Sequence, residues 1–446
     1  MALSVHQAPH TTHSASAELE LGLWTVVPFV LLLLAIAVLP LVTPHFWARN
    51  RNRALVAGLL AVPVACWLLL FGEPGKHALV EALAEYGAFI VLLGSLYTVA
   101  GGIRLSGDVQ GTPLTNTGFL AFGAVLANII GTTGASMVLI RPVLRINAER
   151  ERVRHIPVFF IFLVSNLGGL LTPLGDPPLF IGFLRGLDFF WTLRLWPQWL
   201  VANGAVLALF FVWDSLAYRR EPKWALFADR VRIEPLRLAG RVNIVFLLGI
   251  IAGVLLRAES LSGLDERTGT LAGSAVMVLM AVGSLLATPR GLRAANGFSW
   301  HAIIEVAVLF AGIFVTMIPA LELLKQNAGA FGTLRAWHYF WLTGGLSSFL
   351  DNVPTYLTFG TLAASVEQTG GIAELALRNP RVLEAISCGA VFMGANTYIG
   401  NGPNFMVKAI ADEAGFRTPS FFGYMLYSGL ILLPVFVGVT AIFFVP

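Results

Sequence analysis

Residues 165–180 read SNLGGLLTPLGDPPLF. Three glycines, three prolines, one asparagine and one carboxylate, Asp176, interrupt an apolar run. A helix broken inside hydrocarbon exposes backbone groups that no water can satisfy, at several kcal/mol each. Such a break survives only where it is buried in protein or lines a wet cavity.

The rest of the chain shows that this run belongs to a membrane. Of 446 residues, 57% are hydrophobic and 12% charged, and the mean hydropathy is +0.77. Soluble domains carry about 25% charged residues. The net charge of +4 does not mark a nucleic-acid binder, because the arginines sit between apolar runs, where topology places them. Cys66 and Cys388 lie inside apolar segments and read as buried thiols outside any disulfide framework. Residues 1–21 carry no basic region followed by an apolar one and read as a disordered tail.

Apolar runs at about 22–42, 54–72, 78–103, 194–217, 242–257, 270–287, 302–324 and 421–445 are each long enough to span. Four further stretches, 117–141, 156–187, 336–365 and 383–413, have polar, glycine- and proline-rich centres. The arginine and lysine clusters at 49–53, 141–154, 219–241 and 290–293 assign the cytoplasmic loops. Alternation then makes 117–141 and 336–365 re-entrant hairpins, makes 156–187 and 383–413 broken crossing helices, and puts both chain ends outside, in the periplasm of an inner (plasma) membrane.

The expected fold is an all-α polytopic membrane protein of two inverted-topology repeats. Each comprises three spans, a re-entrant hairpin, a broken helix and a further span. The first repeat is 22–217, the second 242–446, and 218–241 is the linker. GGLLTPLGDPPLF (168–180) lies over MGANTYIGNGPNF (393–405), sharing Gly169/Gly394, Thr172/Thr397, Gly175/Gly400, Pro178/Pro403 and Phe180/Phe405. Matching discontinuous helices in two halves point to a secondary transporter.

Carbonyls, amide and hydroxyl oxygens and a carboxylate are hard ligands that suit Na⁺ or H⁺. The first expected site is Asn166, Thr172 and Asp176, completed by Thr132 and Thr133 at the hairpin tip. Its mate is Asn396, Thr397, Asn401 and Asn404, completed by Asp351 and Asn352. Asp176 and Asp351 are the Na⁺ candidates. Asp-Pro is also the ordinary N-cap before proline at the first helical position, so each Asp carries a capping alternative. Ionisable groups at membrane depth read as functional by default. Glu81, Glu85, Glu305, Glu322, Arg185, His155, Trp191, Trp196, Trp199 and Trp300 read as interfacial.

At these residues the chain resembles the ion transporter superfamily of NhaD-type sodium/proton antiporters, arsenite permeases and citrate or dicarboxylate symporters. The matching pieces are LLGSLYTVAGGI (92–103), NIIGTTGASMVLIRP (128–142), NLGGLLTPLGDPPLF (166–180), VLFAGIFV (308–315), SFLDNVPTYL (348–357) and NTYIGNGPNFM (396–406). GGLLTPLGDPP is similar to the NhaD-type pattern, and LDNVPT to the hairpin of antiporters and arsenite permeases. The Ser-Asn-Thr tips of dicarboxylate symporters are absent. The resemblance implies an elevator-like motion in a homodimer. The sequence therefore predicts a Na⁺(Li⁺)/H⁺ antiporter, with a citrate or dicarboxylate symporter or an arsenite permease as alternatives. No enzyme motif, nucleic-acid partner or cofactor is expected; Na⁺ and H⁺ enter as transported or coupling ions, and the lipid bilayer and a small cation or small-molecule substrate are the partners.

Overall fold

The computed structural model describes residues 21–258, 262–332 and 334–445. The expected N-terminal tail, up to residue 20, and residues 259–261 lie outside the described residues. Every uninterrupted span expected from the sequence is a helix. These are α1 (Val27–Val42), α2 (Asn50–Leu70), α3 (Glu73–Ala100) and, after the first interrupted stretches, α7 (Trp196–Tyr218). In the second half they are α8 (Val242–Leu255), α9 (Glu266–Ala287), α10 (Trp300–Gln326) and α15 (Phe421–Val439). Among the described residues, eight helices are long and apolar enough to cross a membrane: seven of these spans and the helix Pro113–Arg145, whereas α8, at 14 residues, is a shorter apolar helix.

The interrupted stretches are interrupted in the structure too. α4 (Pro113–Arg145) doubles back at Gly131, where φ is +77°. The reversal brings the chain on either side together, and Asn116 and Asn147 exchange side-chain amide bonds at 2.9 and 2.8 Å. A left-handed φ of this kind is cheap only for glycine. α5 (His155–Leu163) stops short of Asn166, a 3₁₀ turn Leu167–Leu171 follows, and α6 (Pro177–Leu184) resumes after Asp176. In the second half α11 (Ala336–Ser347) and α12 (Asn352–Val366) pack together across 348–351. α13 (Pro380–Met393) breaks through Gly394–Asn396 into α14 (Gly402–Glu413).

Donor positions recur at the sequence shift of 225, each bonding a carbonyl in the corresponding segment of its own half. Thr172 donates its hydroxyl to the Asn128 carbonyl at 2.5 Å, and Thr397 donates to that of Ser348. Trp199 on α7 donates to the Gly168 carbonyl, as Tyr424 on α15 donates to Ala395, both at 2.8 Å. Asn203 bonds the Leu167 carbonyl at 3.2 Å, and Ser428 that of Asn396 at 2.7 Å. In each half, the following span thus donates to carbonyls that the broken helix frees, and a threonine of the broken helix donates to a carbonyl at the hairpin tip.

The helices form two packing groups. α1, α2, α3, α8, α9 and α10 pack against one another, and α4–α7 pack with α11–α15. The groups meet where α3 touches α4 and α6, and where α10 touches α12. Arg185 at the end of α6 crosses this boundary to Glu85 on α3 at 2.8 Å.

Three expectations change. The linker 218–241 holds a nine-residue helix, Lys223–Val231, and strand β2 (Glu234–Ala239), which pairs antiparallel with β1 (Arg104–Asp108). Its polar composition hid a strand because the partner strand lies far away in sequence. Trp199 is tied to the broken helix by its indole N–H. His155 is buried, with Nε2 3.0 Å from Asp214, and Asp214 also holds Arg150 at 2.6 Å and Asn116 at 2.9 Å. This knot clamps the base of the first hairpin to α5 and α7.

Both partners of the Arg150–Asp214 pair are fully buried. Removing one partner of such a pair typically costs about 3–5 kcal/mol. Arg150→Met should therefore strongly lower the thermal unfolding temperature in detergent. Adding Asp214→Leu to it should restore at least part of the loss, and a double variant no more stable than the single one would contradict the clamp.

Candidate functional site

Asp176 stands at the N-cap position of α6 with extended backbone (φ −140°, ψ 141°), yet its side chain makes no cap hydrogen bond. The cause lies in the next two residues. Pro177 and Pro178 have no N–H, so little is left for a cap to satisfy. Asn401 repeats the arrangement before Gly402 and Pro403, again with no side-chain cap bond. Both side chains are thereby free to turn toward each other.

The Asp176 carboxylate is only 1% exposed. Its Oδ1 accepts from the Thr132 hydroxyl at 3.0 Å and from Asn401 Nδ2 at 3.3 Å. Its Oδ2 accepts from Asn352 Nδ2 at 2.5 Å. The three donors come from the first hairpin, the second broken helix and the second hairpin. The polar chain then runs on through the centre. Asn401 Nδ2 lies 3.2 Å from Asn166 Oδ1, and Asn166 donates to Asn404 at 2.7 Å. Asn404 donates to the carbonyls of Gly394 and Thr397 at 2.8 and 2.9 Å. The Thr132 N–H donates to the Gly175 carbonyl at 2.8 Å, which fixes the hairpin tip beside the carboxylate.

The sequence led to the expectation of two sites, one per half. The structure brings Asp176, Thr132, Asn166, Asn352, Asn401 and Asn404 into one centre shared by both halves. Asp351 stands apart. It is half-buried and caps α12, accepting from the Val353 N–H at 3.0 Å. Among the described residues no hydrogen bond joins it to Asp176. It differs from Asp176 because the second helical position is Val353, with proline one place later at 354, so the Val353 N–H remains to be capped. Thr172, Thr397 and Asn396 dock hairpin tips onto broken helices, Asn396 Nδ2 reaching Ser348 Oγ at 2.9 Å. Thr133 is half-buried and makes no bond to the carboxylate.

Some residues were not foreseen. Asn128 receives the Leu171 N–H at 2.8 Å, and a lone amide inside an apolar run was the available signal. Ser136 and Ser165 share a 2.8 Å bond. The oxygens Oδ1 of Asn352 and of Asn396 are buried and receive no donor. Arg257, just after α8, places its guanidinium 5.8 Å from the ring centroid of Phe180 on α6, and its Nη1 is buried without a partner. No sequence signal pairs these two.

The donor set of the centre is one carboxylate with neutral amides and a hydroxyl. Among the described residues no group of three or more His, Cys, Asp or Glu side chains is placed to hold a metal ion. What the centre can hold is a proton or a small hard cation.

Residues 17–444 match the family model described as putative citrate transport. The chain belongs to that family. An uncharacterized transporter of Mycobacterium tuberculosis is 23% identical over 428 residues, covering 92% of this chain and 90% of its own length. An uncharacterized transporter of Mycobacterium bovis gives the same figures. The 46 kDa membrane protein of Mycobacterium leprae is 22% identical over 439 residues, 90% of this chain and 96% of its own. With family membership and its apolar helices, the protein is a multi-pass membrane transporter of the citrate-transporter type.

The close approach of the broken segment to itself is testable. A Cβ on Gly175 would sit 2.1 Å from the Gly169 carbonyl oxygen, whereas one on Gly402 meets nothing within 4 Å. Gly175→Ala should abolish monodisperse protein on size-exclusion chromatography, and Gly402→Ala should leave the elution profile unchanged. Equal profiles for the two variants would rule out the tight packing described for residues 169–175.

Proposed function

We propose that the protein exchanges Na⁺ or Li⁺ for H⁺, with Asp176 as the group that binds either a proton or the cation. What carries this reading is the carboxylate itself. It is buried, released from capping by the two prolines, and surrounded by neutral groups drawn from three separate elements. A proton and a cation compete for the same two oxygens, so the fluxes are coupled without further machinery. Asn352 Oδ1 and the Thr132 hydroxyl oxygen are the neutral ligands at hand, and the Asn401 amide becomes a third by rotating its oxygen inward.

The transport cycle follows from the two packing groups. The hairpins and broken helices carry the centre and move as an elevator against α1–α3 and α8–α10. The donors that recur at a shift of 225 support a duplicated unit. The arginine clusters support opposite orientation of its copies and both termini on the periplasmic face of the inner membrane. Assembly as a homodimer completes this reading.

A second reading is favoured by the family description and by Arg257. Its bare Nη1, beside a ring one helical turn beyond Asp176, suits a substrate carboxylate. Under this reading citrate is carried and Asp176 holds the coupling ion.

Everted vesicles with a respiration-driven pH gradient separate the two. Collapse of the gradient on adding Na⁺ or Li⁺, lost in Asp176→Asn, is the expected result. A response to citrate and to no cation, lost in Arg257→Gln, would overturn exchange in favour of symport. Asp351→Asn keeps a side chain that caps as well as Asp. It should retain the exchange rate within about twofold; loss of exchange would assign the Asp351 charge to the ion path.

A further inference from the structure

A groove of about 880 Å³ runs between α7 and α15, away from the Asp176 centre. Its walls are apolar and include Leu209, Val212 and Leu216 of α7 and Leu430 and Ile431 of α15. At one end it is rimmed by Arg152, Arg154 and Arg220, with Glu151 the one carboxylate on the wall. Trp213 and Tyr427 face each other beside this rim with ring centroids 5.6 Å apart. An apolar trough ending in basic residues and an aromatic pair is the profile of a membrane–water interface.

The three rim arginines are charged groups without counter-charges. Arg152, Arg154 and Arg220 are all exposed, and among the described residues none of them forms an ion pair. Arg152 Nε donates to the Arg220 carbonyl at 3.1 Å, which leaves the rest of its guanidinium free. The nearby carboxylates are already engaged. Asp214 is held by Arg150, His155 and Asn116. Glu221 accepts the backbone N–H groups of Glu151 and Arg152 at 3.0 and 2.8 Å. Three cations against one anion therefore face the mouth of an oily groove. Clusters of this kind between membrane helices recognise anionic headgroups, and arginine forks match phosphate oxygens.

We propose that this groove is a binding site for one anionic phospholipid. Its phosphate lies among Arg152, Arg154 and Arg220, and its glycerol and upper acyl chains lie against α7 and α15. The partner chemistry is a lipid phosphate and not a free one, because the apolar walls make up most of the surface offered. The occupied site braces the start of α5 and the buried His155–Asp214–Arg150 knot directly behind it, since His155 itself lines the groove.

The test uses the full-length protein in mild detergent. Native mass spectrometry after extensive washing should find phosphatidylglycerol or cardiolipin retained on the wild type. The Arg152→Gln/Arg154→Gln/Arg220→Gln variant should retain at least about threefold less. A control that removes two exposed arginines elsewhere, Arg49→Gln/Arg51→Gln, should retain as much as the wild type. Added anionic phospholipid should raise the wild-type melting temperature by about 3 °C or more, through binding to the folded state alone. Phosphatidylcholine and inorganic phosphate at the same concentration should not. If the triple variant does not fold, Leu430→Glu sets a like charge on the groove wall at a position 69% exposed, and should lower retention in the same way. The proposal fails on equal retention of anionic and zwitterionic lipid, a melting shift with inorganic phosphate alone, or disulfide cross-linking of two copies of the chain in a Leu430→Cys variant. None of these outcomes depends on which ion or substrate Asp176 serves.

Discussion

Backbone that leaves its helix inside a membrane must find partners within the protein, and the whole architecture is arranged around that demand. Two helices are broken, and each break frees N–H and carbonyl groups that lipid cannot satisfy. The structure answers from both sides. The hairpin tips supply acceptors and hydroxyl partners through Asn128 and Ser348. The following spans supply donors, namely Trp199 and Asn203 in one half and Tyr424 and Ser428 in the other. Neither the hairpins nor the last span of each half has its full set of partners without the broken helix between them. The elements that carry the centre are therefore bound into one group.

The centre is a by-product of that solution. Restarting a helix in the membrane calls for an N-cap, and proline is well placed at the first helical position. Proline at the second helical position, Pro178 or Pro403, removes the N–H that a cap would bond, and the capping side chain is left without work. Asp176 and Asn401, which hold matching places in the two halves, meet across the middle of the protein. One is a carboxylate and the other an amide, so the meeting is a hydrogen bond and not a repulsion. This difference leaves a single charged centre where two carboxylates would have faced each other.

Much of this was legible in the order of residues. Apolar run lengths located the spans, and glycine- and proline-rich centres located the breaks, because both follow from local constraints on a chain in hydrocarbon. Asp176 and most of its neighbours were legible for the same reason, since a carboxylate at that depth needs an explanation. What was not legible is how segments far apart in sequence meet. Nothing local says that Asn352 and not Asp351 reaches Asp176. That choice turns on one N–H, at Val353, which Asp351 caps and which no equivalent residue after Asp176 provides. The strand inside 218–241, the Arg150–Asp214 clamp and the approach of Arg257 to Phe180 are likewise set by tertiary pairing. Sequence periodicity carries no record of them.

The boundary between the two packing groups is where transport would be expressed. It is bridged by Arg185–Glu85 and by the faces of α3 and α10 against α4, α6 and α12. The central claim is that a cation and a proton contend for the Asp176 carboxylate. Calorimetric titration of the purified protein with Na⁺ in two buffers of different protonation enthalpy tests it most directly. The account predicts that the heat differs between buffers, because the cation expels a proton, and that the difference vanishes in Asp176→Asn. Binding heats that are equal in both buffers for the wild-type protein would contradict it.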